Sequence, residues 1–246
     1  MCTLVLLRQP AAPWPLLLAA NRDELATRPS RPPARHWPDR PFVRGGLDVT
    51  AGGTWLGLND DGLVAAVLNR RGTLGPEPGK RSRGELVLEA LDHAEAGDAA
   101  DALRGLDPAA WRPFNLIVAD ALEAFWIRHA GDGAIRSVPI PDGLHMIEAG
   151  ELDDPASPRI ARFLPQFRFV DAPDPATGDW SAWQTLLAAH DRRGDDPRDA
   201  MCIVTDGAYG TVSSSLVALP RHAVEPVVYL QCEGRPGEAA FAVVDS

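Results

Sequence analysis

Two short apolar runs open the chain, Thr3-Leu4-Val5-Leu6-Leu7 and Leu16-Leu17-Leu18-Ala19-Ala20, split by Pro10-Ala11-Ala12-Pro13-Trp14-Pro15. Runs of strand length separated by a turn cluster predict an antiparallel hairpin. In a hairpin the start of the first strand lies beside the end of the second. Cys2 and Asn21-Arg22-Asp23-Glu24 are therefore expected together at one rim of a sheet. Residues 28–46, dense in proline and arginine, are expected as an ordered but irregular loop. Gly52–Leu58 and Leu63–Leu68 predict two strands joined at Asn59-Asp60-Asp61-Gly62, where Asp-Gly suits a hairpin turn. Ser82 and Glu85, at capping-box spacing, open a helix that Leu86, Val87, Ala90, Leu91 and Ala94 carry to about residue 96. A shorter helix is expected over Asp98–Leu106.

Phe114–Ala119 and Ala124–Ile127 predict two further strands, and Ile135–Ile140 an edge strand. Ser157–Phe167 is expected as a short helix, with Pro158 suiting its start and Pro165 its end. Residues 171–179 have the composition of a surface linker, and Trp180–His190 carries an apolar helical stripe of Trp183, Leu186 and Leu187. Cys202–Thr205, Thr211–Leu219, Val227–Gln231 and Ala239–Val243 predict closing strands. Strands at both ends with helices between predict an α+β fold, two sheets sharing one core with helices outside. A length of 246 residues fits a single domain, residues 1–246.

Composition narrows the function classes. Hydrophobic content of 45% and charged content of 24% suit a soluble globular protein. No run of 18 apolar residues is present, which argues against a membrane-spanning segment. The opening runs are broken by Arg8 and prolines and lack a basic leader, so they do not predict a signal peptide. Cys2, Cys202 and Cys232 lie too far apart for a disulfide framework or a zinc site, and a cytoplasmic location is expected. A net charge of −10 argues against non-specific nucleic-acid binding. The charge is uneven: residues 1–90 carry twelve Lys or Arg against nine Asp or Glu, and the remainder carries the acidic excess. Lys80 is the one lysine, so arginine richness reflects coding bias as readily as function. Arg28, Arg31, Arg35, Arg40 and Arg44 fit either a solvated loop or a rim that attracts an anionic group.

The chemistry expected at the rim starts from Cys2. Removal of Met1 makes Cys2 the N-terminus, and its α-amine, with an ordinary pKa of about 7.7–8.0, can take the thiol's proton. Asp23 can orient that amine and thiol, Asn21 and Asn69 can donate amide hydrogens to an oxyanion, and Arg22 can steady a thiolate or a substrate carboxylate. The plain alternative makes Cys2 a small buried hydrophobe and Asn21-Arg22-Asp23 ordinary turn chemistry.

Cys2-Thr3, Asn21-Arg22-Asp23-Glu24 with Arg28-Pro29, Gly52-Gly53-Thr54-Trp55-Leu56-Gly57, Arg83-Gly84-Glu85-Leu86, Phe114-Asn115-Leu116-Ile117 and Tyr209-Gly210-Thr211 together resemble the NRDE family, also called transport and Golgi organization 2. That family in turn resembles the cysteine N-terminal-nucleophile hydrolases: bile salt hydrolases, penicillin V acylases and the acyl-coenzyme A-dependent penicillin acyltransferase. The resemblance implies a four-layer αββα sandwich of two antiparallel sheets. It implies Cys2 as nucleophile, Asp23 as partner of its amine and thiol, Asn21 as the asparagine two residues before, and Asn69 as a backbone contributor to the oxyanion hole. The acylases carry an arginine where this chain has Ala20, and an asparagine near Glu148 and Ala149. Many family members carry arginine at Val212.

Two functions follow from that resemblance. One is an amidohydrolase, acyl transferase or thioesterase acting on a small acyl compound and needing no cofactor. The other is a non-catalytic protein that binds or moves a hydrophobic anionic ligand, haem or an acyl lipid, with Cys2, His36, His129, His145 or Tyr209 as possible iron ligands. An interaction scaffold, with a basic N-terminal third set against an acidic remainder, is the third reading.

Overall fold

A computed structural model describes residues 2–191, 194–222 and 225–245. The chain opens with β1 (Thr3–Arg8), β2 (Leu16–Leu25), β3 (Ser30–Ala34), β4 (Val43–Asp48), β5 (Leu56–Asn59) and β6 (Val64–Asn69). Helices α1 (Gly84–Leu91) and α2 (Ala96–Arg104) follow. Next come β7 (Phe114–Ala119), β8 (Ala124–His129), β9 (Ile135–Pro139) and β10 (Gly143–Ile147). The chain closes with α3 (Pro158–Phe169), α4 (Ser181–Leu187), β11 (Tyr209–Leu219), β12 (Val228–Cys232) and β13 (Phe241–Val243).

These elements form two compact units, each built on one antiparallel sheet. The first combines residues up to Thr27 with Asp142–Val244, in the strand order β10-β1-β2-β11-β12-β13. The second, mainly Arg28–Pro141, runs β3 to β9 in chain order. In the first unit Val5, Leu17, Ala19 and Leu216 pack against Ile160, Phe163 and Phe167 of α3 and Trp183 and Leu187 of α4. In the second, Leu86, Val87, Leu91, Ala99 and Leu103 of the two helices pack against Ala65, Leu116, Val118 and Ile127.

The opening hairpin forms as expected, with β2 continuing to Leu25 so that Asn21-Arg22-Asp23 lies within the strand. Five other expectations need correction. Residues 28–46 contain β3 and most of β4: the Arg28–Asp48 ion pair at 2.6 Å ties the chain just before β3 to the end of β4, and Pro32 and Pro33 fall on the edge strand, where a missing N–H costs least. The helix from Gly84 stops at Leu91 because the Asn59 amide donates to the carbonyls of Leu91 (3.1 Å) and His93 (2.7 Å), capping its end. A distant carboxylate, Asp120, then receives Ala96 N–H at 2.8 Å and starts α2.

Helix α3 continues through Pro165 to Phe169. An interior proline costs about 3 kcal/mol. Burying Phe163, Leu164 and Phe167 on the sheet is worth about 1.5–3 kcal/mol each and outweighs it. Finally, β10 is present where no strand was expected, and Cys202–Thr205 is not a strand.

Two of the motifs meet by close packing. A Cβ on Gly53 would lie 2.5 Å from the Gly84 carbonyl carbon, and Thr54 N–H donates to Gly84 O at 3.2 Å. Only glycine lets those two backbones cross so closely.

Candidate active site

Three neighbouring strands build the rim. β1 pairs with β2 as Thr3 opposite Asn21, and β2 pairs with β11 as Asp23 opposite Thr211 and Arg22 opposite Ser213. Val212 is the extra residue of a bulge between those last two pairs. Side chains alternate across a strand, so Thr3, Asn21 and Asp23 share the helix-facing set with Val5, Leu17 and Ala19. Ala20 and Arg22 belong to the opposite set, as does Cys2 by the same alternation. Arg22 therefore lies on the face of Ala20, two residues along, and is buried at 7% exposure.

The Cys2 sulfur lies 4.0 Å from the main-chain carbonyl oxygen of Asp23. The residue as a whole is half-buried, yet its sulfur is sufficiently enclosed that burial pushes the thiol above its ordinary pKa. The charge of Asp23 adds to that rise and Arg22 opposes it. Met1, whose removal would free the Cys2 amine, lies outside the described residues.

Behind this face, the Asp23 carboxylate is buried in a polar network. Its Oδ1 accepts the Thr211 hydroxyl at 2.6 Å, and its Oδ2 accepts Arg159 Nη1 at 3.2 Å. Gly210 makes room for Thr211: a Cβ there would sit 2.8 Å from Ile203 O. Thr211 is then held by N–H to Ile203 O at 3.0 Å, and its Oγ1 accepts Ile203 N–H at 2.8 Å. The motif Tyr209-Gly210-Thr211 thus delivers the hydroxyl that grips Asp23. Arg159 also donates to Thr3 Oγ1, and its Nε and Nη2 donate to Arg198 O at 3.1 and 2.6 Å. Glu148 Oε2 is 3.8 Å from Arg159 Nε, while Glu148 Oε1 accepts the Ser157 hydroxyl at 2.6 Å.

Other candidate residues fall into different roles. Both N–H groups of the Asn21 amide are already donated, to Leu187 O at 3.0 Å and Met201 O at 2.9 Å. Its Oδ1 accepts the Ser214 hydroxyl at 2.5 Å. An amide has two donor hydrogens, so the expectation that Asn21 serves an oxyanion is corrected: it ties the sheet to the helix layer. Asn69 ends β6 in the second unit, opposite Phe114. Ser213, opposite Arg22, has a buried hydroxyl with no hydrogen-bond partner among the described residues.

The possible iron ligands are divided between the units. His36 and His129 lie in the second, with ring nitrogens 2.8 Å from Pro32 O and 3.3 Å from Ala134 O. His145 and Tyr209 lie in the first with Cys2, and His145 Nδ1 meets Asp153 Oδ2 at 2.6 Å. Among the described residues, no group of three or more His, Cys, Asp or Glu side chains is arranged to hold a metal ion. No helix among them is long and apolar enough to cross a membrane.

Arg159, Thr211 and Ser213 carry no recognisable short-range signal beyond the Tyr-Gly-Thr motif. Arg159 stands 136 positions from Asp23. It is one arginine in an arginine-rich chain, and only the folded sheet brings it to the rim.

The family profile described as Transport and Golgi organisation 2 matches residues 1–225. The chain belongs to that family. Transport and Golgi organization 2 homologs from Mus musculus and Homo sapiens are 39% and 38% identical to it over 112 residues. That stretch is 43% of this chain and 38% of each relative, so the match spans well under half the length of the curated relatives.

Among solved structures, a Caenorhabditis elegans N-acylethanolamine-hydrolyzing acid amidase ortholog is similar with a TM-score of 0.62 and 13% identity, covering 99% of this chain and 100% of that one. A mutant of conjugated bile acid hydrolase from Clostridium perfringens is similar with a TM-score of 0.57 and 13% identity, covering 100% and 92%. At that identity the likeness shows the fold. This member of the Transport and Golgi organisation 2 family has the α+β fold of N-terminal-nucleophile hydrolases, with two antiparallel sheets, as its motifs predicted.

Proposed function

We propose that this chain is a cysteine N-terminal-nucleophile-type hydrolase or acyl transferase, acting on a small amide or thioester. The observation that carries the reading is the rim itself. The sulfur of the half-buried Cys2 lies 4.0 Å from the Asp23 carbonyl, on the face opposite a buried carboxylate held by Thr211 and Arg159. Two proteins of the same fold are named as an acid amidase and a bile acid hydrolase, which supports the same chemistry here.

In this reading, loss of Met1 frees the Cys2 amine, which takes the thiol's proton as the sulfur attacks the acyl carbon. The proton then passes to the departing amine or thiol, and water or another acceptor resolves the acyl-enzyme. Arg22, on the sulfur's face, supplies positive charge to the thiolate or to an anionic part of the substrate. Intact mass of the protein from its native host should lack Met1 and gain one acyl group from an electrophilic acyl probe. C2A should lose that labelling. Retention of Met1 in the host would exclude the amine as base.

A second reading, binding of haem or an acyl lipid without catalysis, is favoured by Glu148. Where the acylases have an asparagine, this carboxylate is engaged by Ser157 and offers no amide donor to an oxyanion. Absorbance during titration with equimolar haem tests it, and an unchanged spectrum excludes the haem form. An acyl lipid that still binds C2A, with no turnover by the wild type, would favour this second reading over the first.

A further inference from the structure

We propose that Arg159 is a positioning residue for the Cys2 centre, acting through Asp23 and Thr3 from the face of the sheet behind the nucleophile. The proposal rests on the reading of Cys2 as that nucleophile. Arg159 is 1% exposed, and its guanidinium divides its donors between this end of the sheet and the Arg198 carbonyl. Nη1 reaches the hydroxyl of Thr3, the residue after the nucleophile, and the Asp23 carboxylate; Nε and Nη2 hold the Arg198 carbonyl. A planar fork of fixed donors locks its acceptors relative to one another, which a flexible ammonium does less well. Thr3 and Asp23 are therefore tied to one rigid group, and Cys2 is bonded to the first and lies against the main chain of the second.

The placement is electrostatically demanding. Arg159 sits in the first turn of α3, where the helix dipole disfavours a cation, and burial disfavours any charge. Asp23 and Glu148 offset both costs, and Ser157 fixes Glu148 while capping α3 through Ile160 N–H at 3.1 Å. Among the described residues, the charged and titratable groups around the centre include Asp23 and Arg22 from β2, Arg159 from α3, Glu148 following β10, Cys202 in the segment before β11, and Asp196, which the Arg159 charge also reaches. Arg159 pairs with the Asp23 carboxylate at 3.2 Å, and its charge is opposite in sign to the one with which Asp23 raises the thiol.

The test is the pH dependence of Cys2 alkylation by iodoacetamide in the full chain, with labelled peptides identified by mass spectrometry and folding checked by circular dichroism. Cys202 and Cys232 are buried, so Cys2 dominates the early label. R159M should raise the alkylation midpoint by about one pH unit and slow labelling at pH 7.5 about tenfold. R159K, which keeps the charge, should lie nearer the wild type. Adding D23N to R159M should bring the midpoint back down, because the uncompensated carboxylate is then gone. A merely structural arginine would lower the melting temperature and leave the midpoint in place.

An unmoved midpoint in folded R159M overturns the proposal. If R159M does not fold, R159Q carries the same expectation, and failure of both to fold would make Arg159 a folding residue and overturn it too. The acyl probe on the wild type separates the two ideas: alkylation without acylation sinks the nucleophile reading. Acylation with an unmoved midpoint in the variant sinks only the role of Arg159.

Discussion

The unit of residues 28–141 and the unit formed from the two ends of the chain use their motifs for different ends. In the former the strands follow chain order, and the motif glycines at 53 and 84 serve a close backbone crossing. Its buried Asn115 is a neutral hub, accepting Arg70 Nη1 at 2.7 Å and Trp126 Nε1 at 3.1 Å. In the latter, β1 and β2 from the start of the chain pair with β10 and β11 from its second half, and the motif Asn21-Arg22-Asp23 is buried with charge. Packing explains the first set without remainder. A buried carboxylate, a buried guanidinium and a nearby thiol are an expensive way to pack a strand end, which supports the proposed chemistry.

That contrast can be broken or sharpened by substitution. Asp23→Ala should be the most damaging, because it leaves the buried Arg159 only the more distant Glu148 carboxylate at 3.8 Å; urea unfolding should show a loss of about 3–5 kcal/mol. Gly53→Ala forces a Cβ into the Gly84 backbone, and a loss of about 3 kcal/mol is expected by the same measurement. Asn115→Ala should cost about 2 kcal/mol, since the donors of Arg70 and Trp126 lose their acceptor. Should Asn115→Ala prove as costly as Asp23→Ala, the distinction between a charged centre and a packing hub would collapse.

The smallest effect is a pH dependence on the first unit's β10. Burial works to raise the pKa of Asp153, but hydrogen bonds from His145 and from Met146 N–H, at 2.6 and 2.7 Å, outweigh it and hold the carboxyl below its ordinary value. A depressed folded pKa means a contribution fully present above the unfolded value and lost as the pH falls through the folded one. Urea midpoints of Asp153→Asn should therefore fall below wild type near pH 6 and converge with it as both are acidified below about pH 3. A constant gap across that range would show that the pair adds no pH-dependent stability.

Much of the architecture was legible because local pattern and turn chemistry agreed. The opening hairpin, the Asp61-Gly62 turn and the strands expected at 114–119 and 124–127, the second of which runs on to His129, all follow from apolar runs of strand length bounded by turn residues. The misreadings occurred where distant groups overrode local preference. Asn59 ended the first expected helix at Leu91, Asp120 started the second at Ala96, and core burial carried α3 through Pro165. Edge position gave a proline-rich segment a strand.

The candidate site divides along the same line. Cys2 beside Asn21-Arg22-Asp23 is a consequence of hairpin register, so the order of residues along the chain was enough to bring those names together. Which way each points, and what it touches, is another matter. Alternation along β2 sends Asn21 and Asp23 toward the helices and Arg22 to the other face. The partners waiting there, Leu187, Met201, Arg159 and Thr211, come from segments more than 130 positions away. Periodicity and spacing act over a few residues, and so they determined the strands and the rim. Hydrogen-bond saturation and charge compensation act between whichever groups the packed chain brings within about 3 Å, and so only the tertiary structure decided which of the rim's polar residues are free to act and which are already spent.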